Sequence, residues 1–349
     1  MQAEQFSARE PISPHPSGHN SHPRVGIDLM GGDTSPELLL EAVVGFAQEF
    51  EEKTLLTLIG APAVLSQIAL PPSISSRPAP DVILMDDDPL LAVRRKKESS
   101  LCIGMSMLAK KEIDAFISLG NTGALITSAT LCLPMLPNIK RPALLTLIPT
   151  KSREVAVIDV GANTSYKADH LVQFAAMGIA YQKSRGITHP KVGLLNIGSE
   201  AQKGTPELRE VYQKLQLLSR DFSSDHPIFI GNVEGREVFR SEIDVLVTDG
   251  FTGNIFLKTA EGIGSLILDL LEEYAKEDYS PHLKAALSIL QHRLHYAQYP
   301  GAILCGVEGI VVKCHGNSPP EALINSIKGA TRLVEHRFLE KIKKQLNNP

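Results

Sequence analysis

Val25-Gly26-Ile27-Asp28-Leu29-Met30-Gly31-Gly32-Asp33-Thr34-Ser35-Pro36-Glu37 decides the fold: an apolar strand-like run, a glycine loop and a helix start follow one another directly. Ser35 is suited to cap a helix, Pro36 fits its first position, and Glu37 brings an acid into the first turn, where the helix dipole favours it. The same rhythm recurs downstream. Strand-like runs occur at 25–29, 55–59, 82–85, 115–118, 155–160, 192–197, 228–230 and 244–248, and Asp88-Pro89 and Thr205-Pro206-Glu207 repeat the helix start. Several runs are almost continuously apolar, as strands buried on both faces must be. Alternation of this kind predicts a doubly wound, mostly parallel sheet in a Rossmann-like α/β/α sandwich.

Beyond residue 255 the rhythm changes. Residues 255–274 and 282–295 read as two helices joined through Asp278-Tyr279-Ser280-Pro281, a helical hairpin arm within about 256–296. Ile263, Leu266, Ile267, Leu270, Leu271 and Tyr274 make an apolar stripe on the first helix, and Leu283, Ala286, Leu287, Leu290 and Leu294 make one on the second. Two further strand-like runs, 302–304 and 309–313, precede a closing helix expected over 320–346. Residues 24–346 read as a single α/β domain. Residues 1–23, rich in Ser, His and Pro, read as a disordered extension and not a signal peptide.

The composition narrows the function. Among 349 residues, 35 basic and 39 acidic side chains leave a net charge of −4, which argues against a nucleic-acid binder. Tryptophan is absent and aromatics are 5%, so base-stacking platforms are not expected. The four cysteines, Cys102, Cys132, Cys305 and Cys314, form no CxxC pair, consistent with a reducing, cytoplasmic setting.

Ligands of open α/β sheets bind at the C-terminal ends of strands. Here those ends carry glycine beside small polar residues: Gly31-Gly32-Asp33, Gly120-Asn121-Thr122-Gly123, Gly161-Ala162-Asn163, Gly198-Ser199-Glu200, Asp249-Gly250-Phe251-Thr252-Gly253-Asn254 and His315-Gly316-Asn317-Ser318. Six such loops favour a phosphate-bearing ligand. No GxGxxG follows the first strand and no GxxxxGK[ST] occurs, so dinucleotide and P-loop readings lack their specific support. Asp86-Asp87-Asp88 suits capping and turns better than a metal. Cys314, beside His315, is a weak nucleophile candidate, since strand neighbours face opposite ways. Arg94-Arg95-Lys96-Lys97 is the densest basic cluster, suited to phosphate or to an acidic partner protein.

In order, Ile27-Asp28-Leu29-Met30-Gly31-Gly32-Asp33, Gly120-Asn121-Thr122-Gly123-Ala124, Asp159-Val160-Gly161-Ala162-Asn163, Asn196-Ile197-Gly198-Ser199-Glu200 with Lys203-Gly204, Gly231-Asn232-Val233-Glu234-Gly235-Arg236, Asp249-Gly250-Phe251-Thr252-Gly253-Asn254 and His315-Gly316 resemble the motifs of the PlsX family, the acyl-acyl-carrier-protein:phosphate acyltransferases of bacterial phospholipid synthesis. The resemblance covers nearly all of 24–342. Leu29 stands where that family usually has alanine, and Ser165 and Tyr166 before Lys167 are atypical. It implies that acyl-carrier-protein thioester and inorganic phosphate give acyl phosphate and free carrier, with no metal and no cofactor. Phosphate is its own nucleophile and a thiolate leaves easily, so positioning and oxyanion donors suffice.

On this reading Lys203, Asn254 and His315 are the catalytic candidates. Asp28, Gly31, Gly32, Asn121, Thr122, Gly123, Asn163, Lys167, Gly253 and Gly316 are the phosphate or substrate candidates, and Arg94, Arg95, Lys96 and Lys97 would dock the acidic carrier protein. The resemblance also implies a homodimer and peripheral membrane attachment. Two other classes compete with it. A metal- and NAD(P)-dependent hydroxyacid dehydrogenase of similar architecture would need convergent acids, for which Asp244 and Asp249 are a poor substitute. A non-catalytic scaffold for lipid-synthesis enzymes would make no acyl phosphate.

Overall fold

The opening βα unit forms as its sequence dictates. Val25 and Ile27 are buried on one face of the first strand, and the Ser35 carbonyl accepts the first bond of the following helix, from Leu39 N at 3.2 Å. The computed structural model describes residues 22–49, 54–220, 228–277, 281–294 and 301–347, so nearly all of the expected 1–23 extension lies outside the described residues.

The strands are β1 (Arg24–Asp28), β2 (Leu55–Gly60), β3 (Ile74–Pro78), β4 (Ala115–Ser118), β5 (Ala143–Pro149), β6 (Glu154–Ile158), β7 (Lys191–Leu195), β8 (Ile228–Val233), β9 (Val245–Val247), β10 (Ala302–Cys305) and β11 (Ile310–Lys313). The helices are α1 (Pro36–Glu49), α2 (Pro62–Leu65), α3 (Pro89–Arg95), α4 (Ser100–Ala109), α5 (Thr122–Cys132), α6 (Ala168–Ser184), α7 (Pro206–Arg220), α8 (Gly250–Glu277), α9 (Pro281–Leu294), α10 (Pro320–Glu335) and α11 (Phe338–Asn347).

All described strands join one sheet in the order β3-β2-β1-β4-β11-β10-β5-β6-β9-β7-β8. Both faces are buried, which is why the strands read as continuous apolar runs: Ile117 and Ile158 face one core, Phe116 and Val157 the other. The sheet is mostly parallel but not uniformly so. β10 is antiparallel to both its neighbours, and β5 is antiparallel to β6. The parallel set β3-β2-β1-β4-β11 therefore runs opposite to the parallel set β6-β9-β7-β8.

Three local expectations are corrected. Residues 82–85 form no strand, because the Val82, Leu84 and Met85 carbonyls are taken by the Lys96 and Asn121 side chains. The closing helix over 320–346 is broken: Arg337 adopts φ 51, ending α10 and turning Phe338 against the Tyr181 ring, 5.8 Å centroid to centroid. Strands β3 and β5 were not anticipated. β3 is an edge strand with only Ile74 buried, and β5 is an apolar run between Pro142 and Pro149 that periodicity alone cannot assign. The hairpin is present as α8 and α9, while its connection, 278–280, lies outside the described residues. No helix among the described residues is long and apolar enough to cross a membrane.

Candidate active site

β1, β4 and β11 end side by side, and their last residues make one row: Asp28 pairs with Ser118, and Ser118 with Lys313. Ser118 Oγ donates to Asp28 Oδ2 at 2.8 Å, and Met30 N donates to Oδ1 at 3.0 Å. Lys313 is buried, its Nζ donating to Leu119 O at 3.2 Å and to Cys314 O. Burial pushes the Asp28 carboxyl up to about 6 and draws the Lys313 ammonium down to about 8. Lys313 escaped the sequence reading as the last residue of an apolar strand. The available signal was a lysine inside a run, Ile310 to Cys314, otherwise suited to burial on both faces.

The loops beyond this row are knitted to each other. Asp33 N and Thr34 N donate to Gly316 O at 2.7 and 3.3 Å, and Thr34 Oγ1 donates to Ser318 O at 2.9 Å. Gly31 has φ +75, and a Cβ there would lie 2.7 Å from Ile83 O; at Gly32 it would lie 3.0 Å from Gly316 O. Asn121 caps α5 through Ala124 N (3.0 Å), and its Nδ2 donates to the Leu84, Met85 and Asp87 carbonyls. Its amide is thus committed to holding the 84–87 segment, not left for phosphate as expected. A Cβ on Gly123 would meet Pro89 of α3 at 2.6 Å.

In the opposite half, Asp159 is the hub. Its carboxylate accepts from Leu144 N, Gly161 N, Ala162 N, Asn163 N and Asn163 Nδ2 at 2.8–3.1 Å. Burial pushes its pKa up against these donors. Asn163 also donates from Nδ2 to Pro142 O at 2.8 Å, so it too is a structural clamp where a phosphate contact was expected. Gly253 is buried, with the Asp159 carbonyl 1.9 Å from where a Cβ would be, which makes it a close-packing glycine. Asn254 donates from Nδ2 to Val160 O at 3.2 Å.

A groove of about 340 Å³ bridges the two halves, lined by Thr122 after β4, Gly161 after β6, Asn254 in the first turn of α8, and Lys313 and His315 at the end of β11. Leu144, Leu147, Ile148, Val160 and Leu257 give it an apolar wall. His315 Nε2 lies 3.0 Å from Glu261 Oε1, and its Nδ1 lies 2.9 Å from Lys258 Nζ. An ammonium can only donate, so Nδ1 accepts and Nε2–H donates to Glu261. Burial opposes ionisation of Glu261, but His315 and Lys258 outweigh it and hold the carboxyl below the usual range. Lys258 and Glu261, three residues apart on α8, were not anticipated; only the fold brings them to His315.

Several expected residues do not reach the groove. Lys203 is on the loop after β7, exposed, with Nζ 3.9 Å from Glu200 Oε1, and Lys167 is at the exposed start of α6, its amide donating to His170 Nδ1. Cys314 lines the groove, but its Sγ donates to Ser326 Oγ at 3.0 Å and burial pushes the thiol up, so it is not poised as a nucleophile. Asp88 caps α3 through Leu91 N, and Asp249 accepts from Phe251 N and Thr252 N. Asp244 is paired with Arg153 at 2.9 Å. In the basic cluster Arg94, Arg95 and Lys97 are exposed, whereas Lys96 is pinned to Asp87 at 2.6 Å and to Val82 O.

Solved structures with the same fold include a phosphotransacetylase from Staphylococcus aureus (TM-score 0.59, 14% identity, covering 89% of this chain and 94% of that one). A phosphotransacetylase from Streptococcus pyogenes gives TM-score 0.57 at 16% identity, covering 90% and 94%. A 4-hydroxythreonine-4-phosphate dehydrogenase from Klebsiella pneumoniae also shares it (TM-score 0.52, 11% identity, covering 89% and 99%), so architecture alone does not separate transferase from dehydrogenase. Sequence does. A phosphate acyltransferase of Chlamydia caviae is 38% identical over 93% of this chain and 99% of its own length, and one of Thermosipho africanus is 39% identical over 93% and 98%. The family model described as "fatty acid synthesis protein" matches residues 23–341. The chain belongs to that family, the phosphate acyltransferases.

Proposed function

We propose that this phosphate acyltransferase takes its acyl group from an acyl-carrier-protein thioester and transfers it to inorganic phosphate in the groove, supplying acyl phosphate for phospholipid synthesis. The observation that carries the reading is the groove itself, where an apolar wall suited to an acyl chain meets the Thr122, Asn254 and His315 end. A phosphate oxygen attacks the thioester carbonyl carbon. The tetrahedral oxyanion collapses, the C–S bond breaks, and the thiolate leaves on the carrier. Asn254 orients the carbonyl from the groove wall, and Lys203, whose exposed side chain must swing in from outside the groove, stabilises the developing oxyanion; their loops follow the neighbouring parallel strands β9 and β7. His315, locked by Glu261 and Lys258, fixes the β11 loop against α8.

The α8–α9 hairpin, whose face keeps Leu266 and Leu270 about half exposed, serves as the homodimer contact, and its tip serves the membrane that receives the product. The deciding experiment incubates the purified protein with phosphate and acyl-carrier thioesters of several chain lengths, trapping acyl phosphate with hydroxylamine. Formation of hydroxamate that depends on both substrates is expected. Its absence at every chain length would overturn the reading.

A further inference from the structure

We infer that Lys313 supplies the fixed positive charge that holds the attacking phosphate at the end of β11. The inference rests on the acyltransferase reading above and assigns its phosphate site. Lys313 lines the groove, and among the described residues its ammonium contacts only the main-chain oxygens of Leu119 and Cys314, with no carboxylate in ion-pair range. A buried cation held by neutral carbonyls is costly and depends on a nearby anion. Lys258, another cation on the groove wall, is neutralised by Glu261 at 2.9 Å. Asp28 acts on Lys313 from one strand further away, with Ser118 between them. Among the described residues the groove therefore offers an incoming anion one ammonium that has no ion-pair partner, that of Lys313, on which Asp28 and Asp33 act only at longer range.

Its place in the fold suits this role. The ammonium sits where the loops after β4 and β11 meet, with Thr122 at the first turn of α5 on the same groove wall. The depressed pKa of Lys313 agrees, because an ammonium that burial has destabilised gains the most from an anion brought to it.

The competing explanation is that Lys313 is only the counter-ion of Asp28, and the test separates the two. Phosphate KM and thioester KM are measured for wild type, Lys313→Met, Lys313→Arg and the double variant Asp28→Asn/Lys313→Met, each checked for folding by thermal unfolding. Lys313→Met should raise phosphate KM at least about tenfold, the loss expected of one charge-assisted contact, and leave thioester KM within about twofold. Lys313→Arg should recover most of it. The double variant, which strands no buried charge, should fold and keep the raised phosphate KM; it decides the matter if Lys313→Met alone fails to fold. Recovery of phosphate KM in the double variant, or an unchanged value in Lys313→Met, would overturn the inference. A wild type that makes no acyl phosphate would overturn the acyltransferase reading instead.

Discussion

Asp28 and Lys313 are each held against burial, with opposite consequences for pH. An aspartate whose folded pKa is raised to about 6 costs no stability below its ordinary value of 3.8, and that cost grows as pH climbs through 6. A lysine lowered to about 8 bears its full cost below that value and sheds it towards 10.5. Both costs overlap between about pH 6 and 8. Asp28→Asn/Lys313→Met should therefore unfold at a higher temperature than wild type by calorimetry, with the widest gap in that window and a narrower one below pH 4. A gap that widened on acidification would show the assignment of charges to be wrong. On the catalytic side, Asn254→Ala and Lys203→Ala should each lower kcat by about 10²-fold or more in a protein that remains folded. Near-wild-type rates in both would remove them from the reaction. Asn254 and His315 stood out in the sequence because each adjoins a glycine in a loop expected at a strand end, and Asp28 because it belongs to the run that leads into Met30-Gly31-Gly32-Asp33. Lys313 was hidden, since its significance is a burial that only the neighbouring strands create, and the polar identities of Asn121 and Asn163 pointed to ligand when their amide groups are bonded within the protein, Asn121 to main-chain groups and Asn163 to the Pro142 carbonyl and the Asp159 carboxylate.

Among the elements, the start of α8 is the most constrained. Helix and strand end approach so closely at Gly253 that Gly253→Ala should destabilise the protein by about 1–3 kcal/mol, by overpacking against the Asp159 carbonyl, and displace Asn254 with it. Denaturant unfolding alongside kcat would show both losses together; an unperturbed melting curve would mean that the helix start yields freely. Further along, α8 leaves Ile263, Leu266, Leu270 and Tyr274 between 47% and 68% exposed, although the hairpin partner α9 is in place. A stripe of that length is seldom left to water, and a second copy of the hairpin would cover it with the same residues from the other side. Leu266→Glu/Leu270→Glu should yield monomers by light scattering, and a persistent dimer would place the interface elsewhere. The hairpin was legible because its 3.6-residue periodicity is long. β5 was not, being seven residues of a pattern that fits strand and helix alike, and 82–85 looked strand-like until side chains from α5 and the end of α3 took up its carbonyls.

Across the whole molecule, β11 and β6 run in opposite directions, and the groove joins the loops that follow them by running over β5 and β10, whose Leu144, Leu147, Ile148 and Ala302 line it; strand order of that kind leaves no mark in any single motif. On the proposed function, the same architecture bears on where an acyl carrier protein would approach. α3 packs on α5, whose first residue, Thr122, lines the groove, and keeps its other face exposed. On that face Leu90 and Leu91, 43% and 48% exposed, stand one turn before Arg94 and Arg95, with Lys97 just beyond. An apolar strip bordered by basic groups is complementary to an acidic protein that also buries apolar surface, and it offers two contributions that salt separates. Arg95→Glu/Lys97→Glu should weaken carrier binding and flatten its dependence on ionic strength. Leu90→Ser/Leu91→Ser should weaken it while leaving that dependence as steep as in wild type. Lys96 is excluded from both pairs because its bond to Asp87 holds the 82–87 segment. Titrations by calorimetry at two salt concentrations, with phosphate KM measured in parallel, would settle the matter: carrier affinity unchanged in both pairs would move the docking site off α3, and a changed phosphate KM would mean that the helix supports the groove instead.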